Sequence, residues 1–215
     1  MTEDVTMGAH FEEVVTTRDR LRELIAPASG LARDKAIGHI DDICRRFIAA
    51  SPFMMIATRG SDGRLDVSPK GDPAGFVAVL DERTLAIPDR LGNNRLDTFE
   101  NVLVHPEVGL IFVIPGHNDT LRVSGKGRIV RDAALQRRLA VNGKTPNLVL
   151  VVTVEEAFMH CSKCMIRSRL WRQDEWPDRS SVATLAEAMI AHAAPKESVG
   201  EVEAMIDDSY ENRLY

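Results

Sequence analysis

The sequence predicts a mainly β fold with helices at both ends, of the α+β class. Three observations predict it. Between residues 53 and 154 lie six or seven short runs that are apolar or alternate apolar with polar, separated by short turns. Only two helical patterns interrupt them, whereas a parallel sheet needs a helix after nearly every strand. Outside that stretch, apolar residues recur at helical spacing, at Leu21, Leu24 and Ile25 before it and at Val182, Leu185, Met189 and Ile190 after it. An antiparallel barrel or sandwich is therefore expected.

Residues 1–15 read as an irregular lead-in. Thr16-Thr17-Arg18-Asp19 has capping character and opens a helix that Pro27 and Gly30 end. Ile40, Ile43, Phe47 and Ile48 mark a second helix, with Asp41 and Asp42 at its start and Arg45 and Arg46 later, as the helix dipole favours. Phe53 to Thr58 and Leu65 to Ser68 read as strands joined by the turn Arg59-Gly60-Ser61-Asp62-Gly63-Arg64, a hairpin. Phe76 to Leu80 and Thr84 to Ile87 form another pair. Asp97 with Glu100 reads as the cap of a short helix ending before Pro106. Val108 to Ile114 and Thr120 to Val130 are strands, the second bending at Gly125 and Gly127. Asp132 caps a helix bearing Leu135 and Leu139, and Leu148 to Val154 is the last strand. The box Ser198…Glu201 opens a final helix. The expected organisation is a helical extension over 1–50, a barrel domain over 51–177 and a helical extension over 178–215.

The chain has 215 residues and a formal net charge of −5. That balance argues against general binding to nucleic acid or to anionic membranes. No run approaches the roughly 18 apolar residues of a spanning helix. Cys44, Cys161 and Cys164 cannot all pair within one chain, and no secretory signal precedes them. Together these point to the reducing cytoplasm.

Candidate chemistry sits where strand-like runs give way to cations, small residues and amides. The first such place is Ser68-Pro69-Lys70-Gly71-Asp72 and the second is Pro88-Asp89-Arg90-Leu91-Gly92-Asn93-Asn94-Arg95. Lys70, Arg90 and Arg95 are poor core residues. They are well suited to converge on an anion, above all a phosphate ester, with Arg as a two-pronged donor and Lys as a point charge. Solvated strand-end cations are the plain alternative, and Gly-Asn-Asn is ordinary turn chemistry.

His160-Cys161-x-x-Cys164 has zinc-like spacing but lacks an evident fourth ligand, so no metal is expected. No Ser/His/Asp constellation and no dinucleotide fingerprint is present, and no catalytic residue can be named.

Taken in order, these pieces resemble the pyridoxamine 5′-phosphate oxidase-related family of FMN-binding split β-barrel proteins. The resemblance rests on Ser68 to Asp72, Leu85 to Arg90, Asn93-Asn94-Arg95, His105 to Phe112 and Leu121 to Gly127. It covers roughly residues 50–172. The segment His160 to Trp171 resembles an uncharacterised subgroup, and the arginine-rich substrate motif of the biosynthetic oxidases is not found.

The resemblance implies a six-stranded antiparallel barrel of Greek-key character. It also implies a homodimer with FMN in the clefts between subunits, and an oxidoreductase acting on a small organic substrate. In that frame Ser68, Pro69, Lys70, Gly71, Pro88, Asp89, Arg90, Asn93, Asn94 and Arg95 hold FMN. Lys70, Arg90 and Arg95 take the phosphate, and Pro88 and Asp89 leave backbone groups free at the ring. Lys163, Arg167, Arg169 and Trp171 approach the partner's FMN, a cation there stabilising the reduced ring, though Trp171 is equally suited to an interface core. Related barrels resemble deazaflavin or haem binders, and haem would need an axial ligand such as His105 or His160.

Overall fold

The structure, a computed structural model, describes residues 11–215, so most of the expected lead-in, residues 1–10, lies outside the described residues. The described chain forms two units, residues 11–35 and residues 36–215.

In the first unit, α1 (Arg18–Leu24) is capped by Thr17, whose hydroxyl accepts from the Arg20 amide at 3.2 Å. α2 (Gly30–Asp34) is a helix the sequence reading missed. There Gly30 begins a turn capped by Ser29 instead of only ending one, and five residues are too few to show a period.

The second unit is built on one antiparallel sheet of seven strands. These are β1 (Phe53–Arg59), β2 (Leu65–Gly71), β3 (Ala78–Asp81), β4 (Thr84–Pro88), β5 (Glu107–Val113), β6 (Thr120–Val130) and β7 (Val149–His160). Their order is β2-β1-β5-β6-β7-β4-β3. The count is seven, not the expected six, and the sheet is open, with β2 and β3 as its edges. The extra edge arises because β4 pairs with β7 while the four-residue β3 pairs with β4 alone.

β7 runs to His160, six residues beyond the expected apolar run, because Thr120 to Ser124 keep pairing with it. The exposed Glu155 and Glu156 hide that extension from a hydropathy pattern. The register shifts between Ser124 and Gly125. A Cβ on Gly125 would lie 2.1 Å from the Thr153 carbonyl oxygen, so only glycine fits this bulge.

The main core fills one side of the sheet, and a smaller cluster of Ala86, Leu139, Val149 and Val151 is buried on the other. Met54, Ile56, Leu85, Leu110, Phe112, Leu121, Val123, Val152 and Val154 are essentially sealed from solvent. Burying each large one stabilises the fold by about 1.5–3 kcal/mol. α3 (Asp42–Ala50) closes part of this core with Cys44, Phe47 and Ile48. Ile43, expected on the buried face, is 55% exposed. The helix starts after Ile40, at its Asp41 cap, and the face i, i+3, i+4 then belongs to Cys44, Phe47 and Ile48. Burial, with Asp41 alongside, pushes the Cys44 thiol up to about 11.

α4 (Asp97–Val104) adds Phe99 and Val102. Its cap is not Asp97 but Leu96, held in the left-handed region at φ 61° with no side-chain bond to the helix. α5 (Ala133–Arg138) starts at its Asp132 cap. α6 (Lys163–Ser168), within a stretch for which no element was expected, follows β7 directly. α7 (Leu185–Ala193) and α8 (Val199–Asn212) each open with a complete capping box, Thr184 with Glu187 and Ser198 with Glu201. Among the described residues no helix is long and apolar enough to cross a membrane.

Candidate functional site

The site grows from the pleat of β2. Asp66, Ser68 and Lys70 are half-buried, while Leu65, Val67, Pro69 and Gly71 are exposed. In register, Asp66 lies opposite Thr58, Ser68 opposite Ile56 and Lys70 opposite Met54, all of which are buried. The polar face of this edge strand therefore shares the core side of the sheet. Pro69 is tolerated because an edge strand can spare one ladder donor.

β4 delivers Pro88 and Asp89 to the same end, and the loop 90–96 carries the remaining residues toward α4. Asp66, Ser68, Lys70, Asp89, Arg90, Asn93, Asn94 and Arg95 line one cleft of about 350 Å³. A second hollow of about 370 Å³ shares Ser68, Lys70, Asp89, Arg90 and Asn93 and adds Pro69, Gly71, Phe76 and Pro88. The early candidates thus meet in one region. Asn94 at φ 58° and Leu96 at φ 61° bracket Arg95 in left-handed backbone. Asn tolerates this, whereas for Leu it stores about 1–3 kcal/mol, strain of the kind that collects at functional loops.

The cations differ in how they are held. Lys70 has no hydrogen bond or ion pair among the described residues, and its charge acts on Asp89. Arg95 donates through Nε to Asp97 Oδ2 at 2.7 Å, and that carboxylate raises its pKa. Arg90 is committed inward. Its Nε donates to Asp72 Oδ2 at 2.5 Å and its Nη2 to the Leu139 carbonyl at 2.9 Å. Burial pushes the Asp89 carboxyl up, and the Lys70 and Arg90 charges oppose that rise. Asp66 presents a buried Oδ2 that accepts no hydrogen bond, the one such side-chain atom among the described residues. An unsatisfied buried acceptor costs about 1–3 kcal/mol, more when charged.

Three participants, Asp72, Lys144 and Tyr215, had no role assigned from the sequence. Asp72 has a fully buried carboxylate that takes Arg90 on one oxygen and the Tyr215 hydroxyl on the other, the latter at 2.6 Å. Lys144 Nζ donates to the Tyr215 carbonyl. Residues 72 and 215 are 143 apart, so no local spacing signals the contact.

The late candidates lie elsewhere within the chain. Lys163 and Arg167 are exposed on α6, and Arg169 pairs with Glu175 at 2.8 Å. Trp171 Nε1 donates to the His117 carbonyl at 2.9 Å. None of the four lines the two hollows. Cys161 and Cys164 are exposed and unpaired, and among the described residues no three His, Cys, Asp or Glu side chains are grouped to hold a metal.

Residues 40–161, more than half of the sequence, match the family model of pyridoxamine 5′-phosphate oxidase. The chain belongs to that family. Among solved structures, this pyridoxamine 5′-phosphate oxidase relative is similar to HupZ from Group A Streptococcus, at 18% identity over 56% of this chain and 93% of that one, with a TM-score of 0.47. It is also similar to a putative pyridoxamine 5′-phosphate oxidase from Lactobacillus delbrueckii, at 21% identity over 57% and 99% of the two chains, with a TM-score of 0.43. A conserved hypothetical protein from Mycobacterium tuberculosis aligns at 14% identity over 71% and 97%, with a TM-score of 0.45. The family assignment rests on the sequence match and not on these distant likenesses. No curated protein matches the chain.

Proposed function

We propose that this protein binds FMN in the cleft between β2 and the loop 89–96 and acts as an FMN-dependent oxidoreductase on a small organic substrate. The observation that carries the reading is Lys70. A half-buried cation without a protein partner, beside the Ser68 hydroxyl and the Asn93 and Asn94 amides, is suited to receive a phosphate dianion. Arg95, held only by its near neighbour Asp97, closes the anion from the loop side. Arg90 serves through its buried tie to Asp72, which fixes where the loop starts.

The residues fit the cofactor in shape as well as charge. The polar cleft suits a phosphate and its polyol chain. The adjoining hollow, walled by Pro69, Phe76 and Pro88, suits a flat ring. When bound, FMN supplies hydride and single-electron chemistry. The chain's own part is to grip the phosphate, exclude water and present Asp89 at the rim.

The same reading makes the protein a cytoplasmic homodimer with the sheet curled into the family's split barrel. Leu65 is 78% and Val67 61% exposed on the outer face of β2, and that face continues past Pro69 and Gly71 over Met55 and Phe53 of β1 to the exposed Ile111 of β5. An apolar patch across three strands suits a second copy. Lys163, Arg167, Arg169 and Trp171, remote from their own cleft, are then available to the partner's.

Purified protein is expected to be yellow, with acid-released cofactor running as FMN. Lys70→Ala and Arg95→Ala are expected to weaken FMN at least tenfold more than riboflavin, which lacks the phosphate. Colourless protein that takes up no flavin overturns the reading, and equal losses for both ligands overturn the phosphate assignment.

A further inference from the structure

Asp66 stands out as an unanswered acceptor in a cleft lined by cations. Its Oδ2 is buried and takes no hydrogen bond. The donors around it are spent or turned away. Arg95 feels its charge but donates to Asp97. The Asn101 amide, beside its strand partner Thr58, donates to the Thr58 hydroxyl at 3.0 Å. Ser68 and Lys70 follow at i+2 and i+4 on the same face of β2, where an anion is expected. A bare anion would gain nothing from a carboxylate here and would be repelled by it.

We infer that Asp66 accepts a hydrogen bond from a hydroxyl of the bound ligand, so that the cleft selects phosphate esters carrying hydroxyl groups near the phosphate over phosphates that lack them. Resting on the FMN reading, this assigns Asp66 to a hydroxyl of the cofactor's ribityl chain. The ligand reaches Oδ2 as Arg95, 71% exposed and paired only with Asp97 at the start of α4, swings from beside Asp66 onto the phosphate. The unpaired carboxylate is a stability cost in the free protein that the ligand relieves, a trade often found at functional sites.

The test uses the full chain, with Asp66→Ala and the shape-preserving Asp66→Asn in case the first does not fold. Asp66→Ala is expected to raise the melting temperature of the ligand-free protein by about 3 °C and to weaken FMN and riboflavin each about tenfold. Lumiflavin, which keeps the ring and lacks the polyol, is expected to bind unchanged. Asp66→Asn is expected to lose less in the same direction. Unchanged FMN and riboflavin affinity in Asp66→Ala, or an equal loss for lumiflavin, overturns the inference while leaving the FMN reading intact. Wild-type protein that takes up no FMN overturns that reading instead. Asp66 is then judged by thermal shift with ribose 5-phosphate against phenyl phosphate. A wild-type preference for the sugar phosphate that Asp66→Ala abolishes sustains it, and no preference, or one that survives the substitution, overturns it.

Discussion

Asp72 and Arg90 form the most enclosed ion pair described in the structure, with Nε 2.5 Å from Oδ2 and side chains 0% and 17% exposed. The pair ties the end of β2 to the start of the cleft loop. Removing one member of a buried pair leaves the other uncompensated. Asp72→Ala is expected to destabilise the protein by about 3 kcal/mol in urea denaturation. The double variant Asp72→Ala with Arg90→Met is expected to recover part of that loss. Additive losses would show that the two do not act as a pair.

The second oxygen of Asp72 raises the Tyr215 pKa, chiefly because the phenol donates to a carboxylate. A folded-state value above the unfolded one means that this bond stabilises below the ordinary tyrosine value of 10.0 and is lost as pH rises through the raised value. Tyr215→Phe is expected to cost about 1 kcal/mol at pH 7. The difference from wild type should vanish in strong alkali. A gap independent of pH in this range would assign the effect to packing.

Asp89 follows the same sign as Tyr215 but in an acid window, so at neutral pH its charge is already a cost. Its carboxyl is raised by burial from an ordinary value of 3.8. Its charge therefore costs stability as pH climbs from about that value through the raised one. Asp89→Asn is expected to gain stability on wild type across this window and to match it below. Lys70→Met is expected to raise the Asp89 pKa further, read by carboxyl ¹³C shifts, since Lys70 opposes the rise. An unmoved titration would place Lys70 away from Asp89.

Gly125→Ala tests the bulge between β6 and β7. The 2.1 Å approach to the Thr153 carbonyl cannot be relieved by a side-chain rotation, because both parties are backbone-fixed. A loss of about 3 kcal/mol or more, or failure to accumulate as folded protein, is expected. A wild-type melting temperature would mean that β7 pairs differently here.

Val67→Asp places a charge on the exposed apolar face of β2, away from the cleft-lining side. Light scattering is expected to show a dimer for wild type and a monomer for the variant, with FMN affinity falling as well if the partner completes the site. A variant that stays dimeric would locate the interface elsewhere.

The apolar alternation of the strands and the box residues Ser198 and Glu201 were enough to write out most of the elements, because each depends on neighbours two to four positions away. The order of pieces around Lys70, Pro88 and Asn93 was enough to single out residues that line adjoining hollows. The sequence pattern failed where one residue can play two parts. Gly30 starts a helix as readily as it ends one, Asp97 pairs with Arg95 and leaves the cap to Leu96, and Ile43 turns outward by one helical step. Glu155 and Glu156 concealed half a strand.

By itself the sequence determined an antiparallel, mainly β chain with cations and amides at the ends of β2 and β4, since periodicity and turn chemistry are local properties. Only the tertiary structure decided how those cations are used. Ion pairing, burial and orphaned acceptors depend on groups remote in sequence, and so Arg90 turns to Asp72, Tyr215 arrives from 143 residues away, and Lys70 and Asp66 remain facing the cleft without partners of their own.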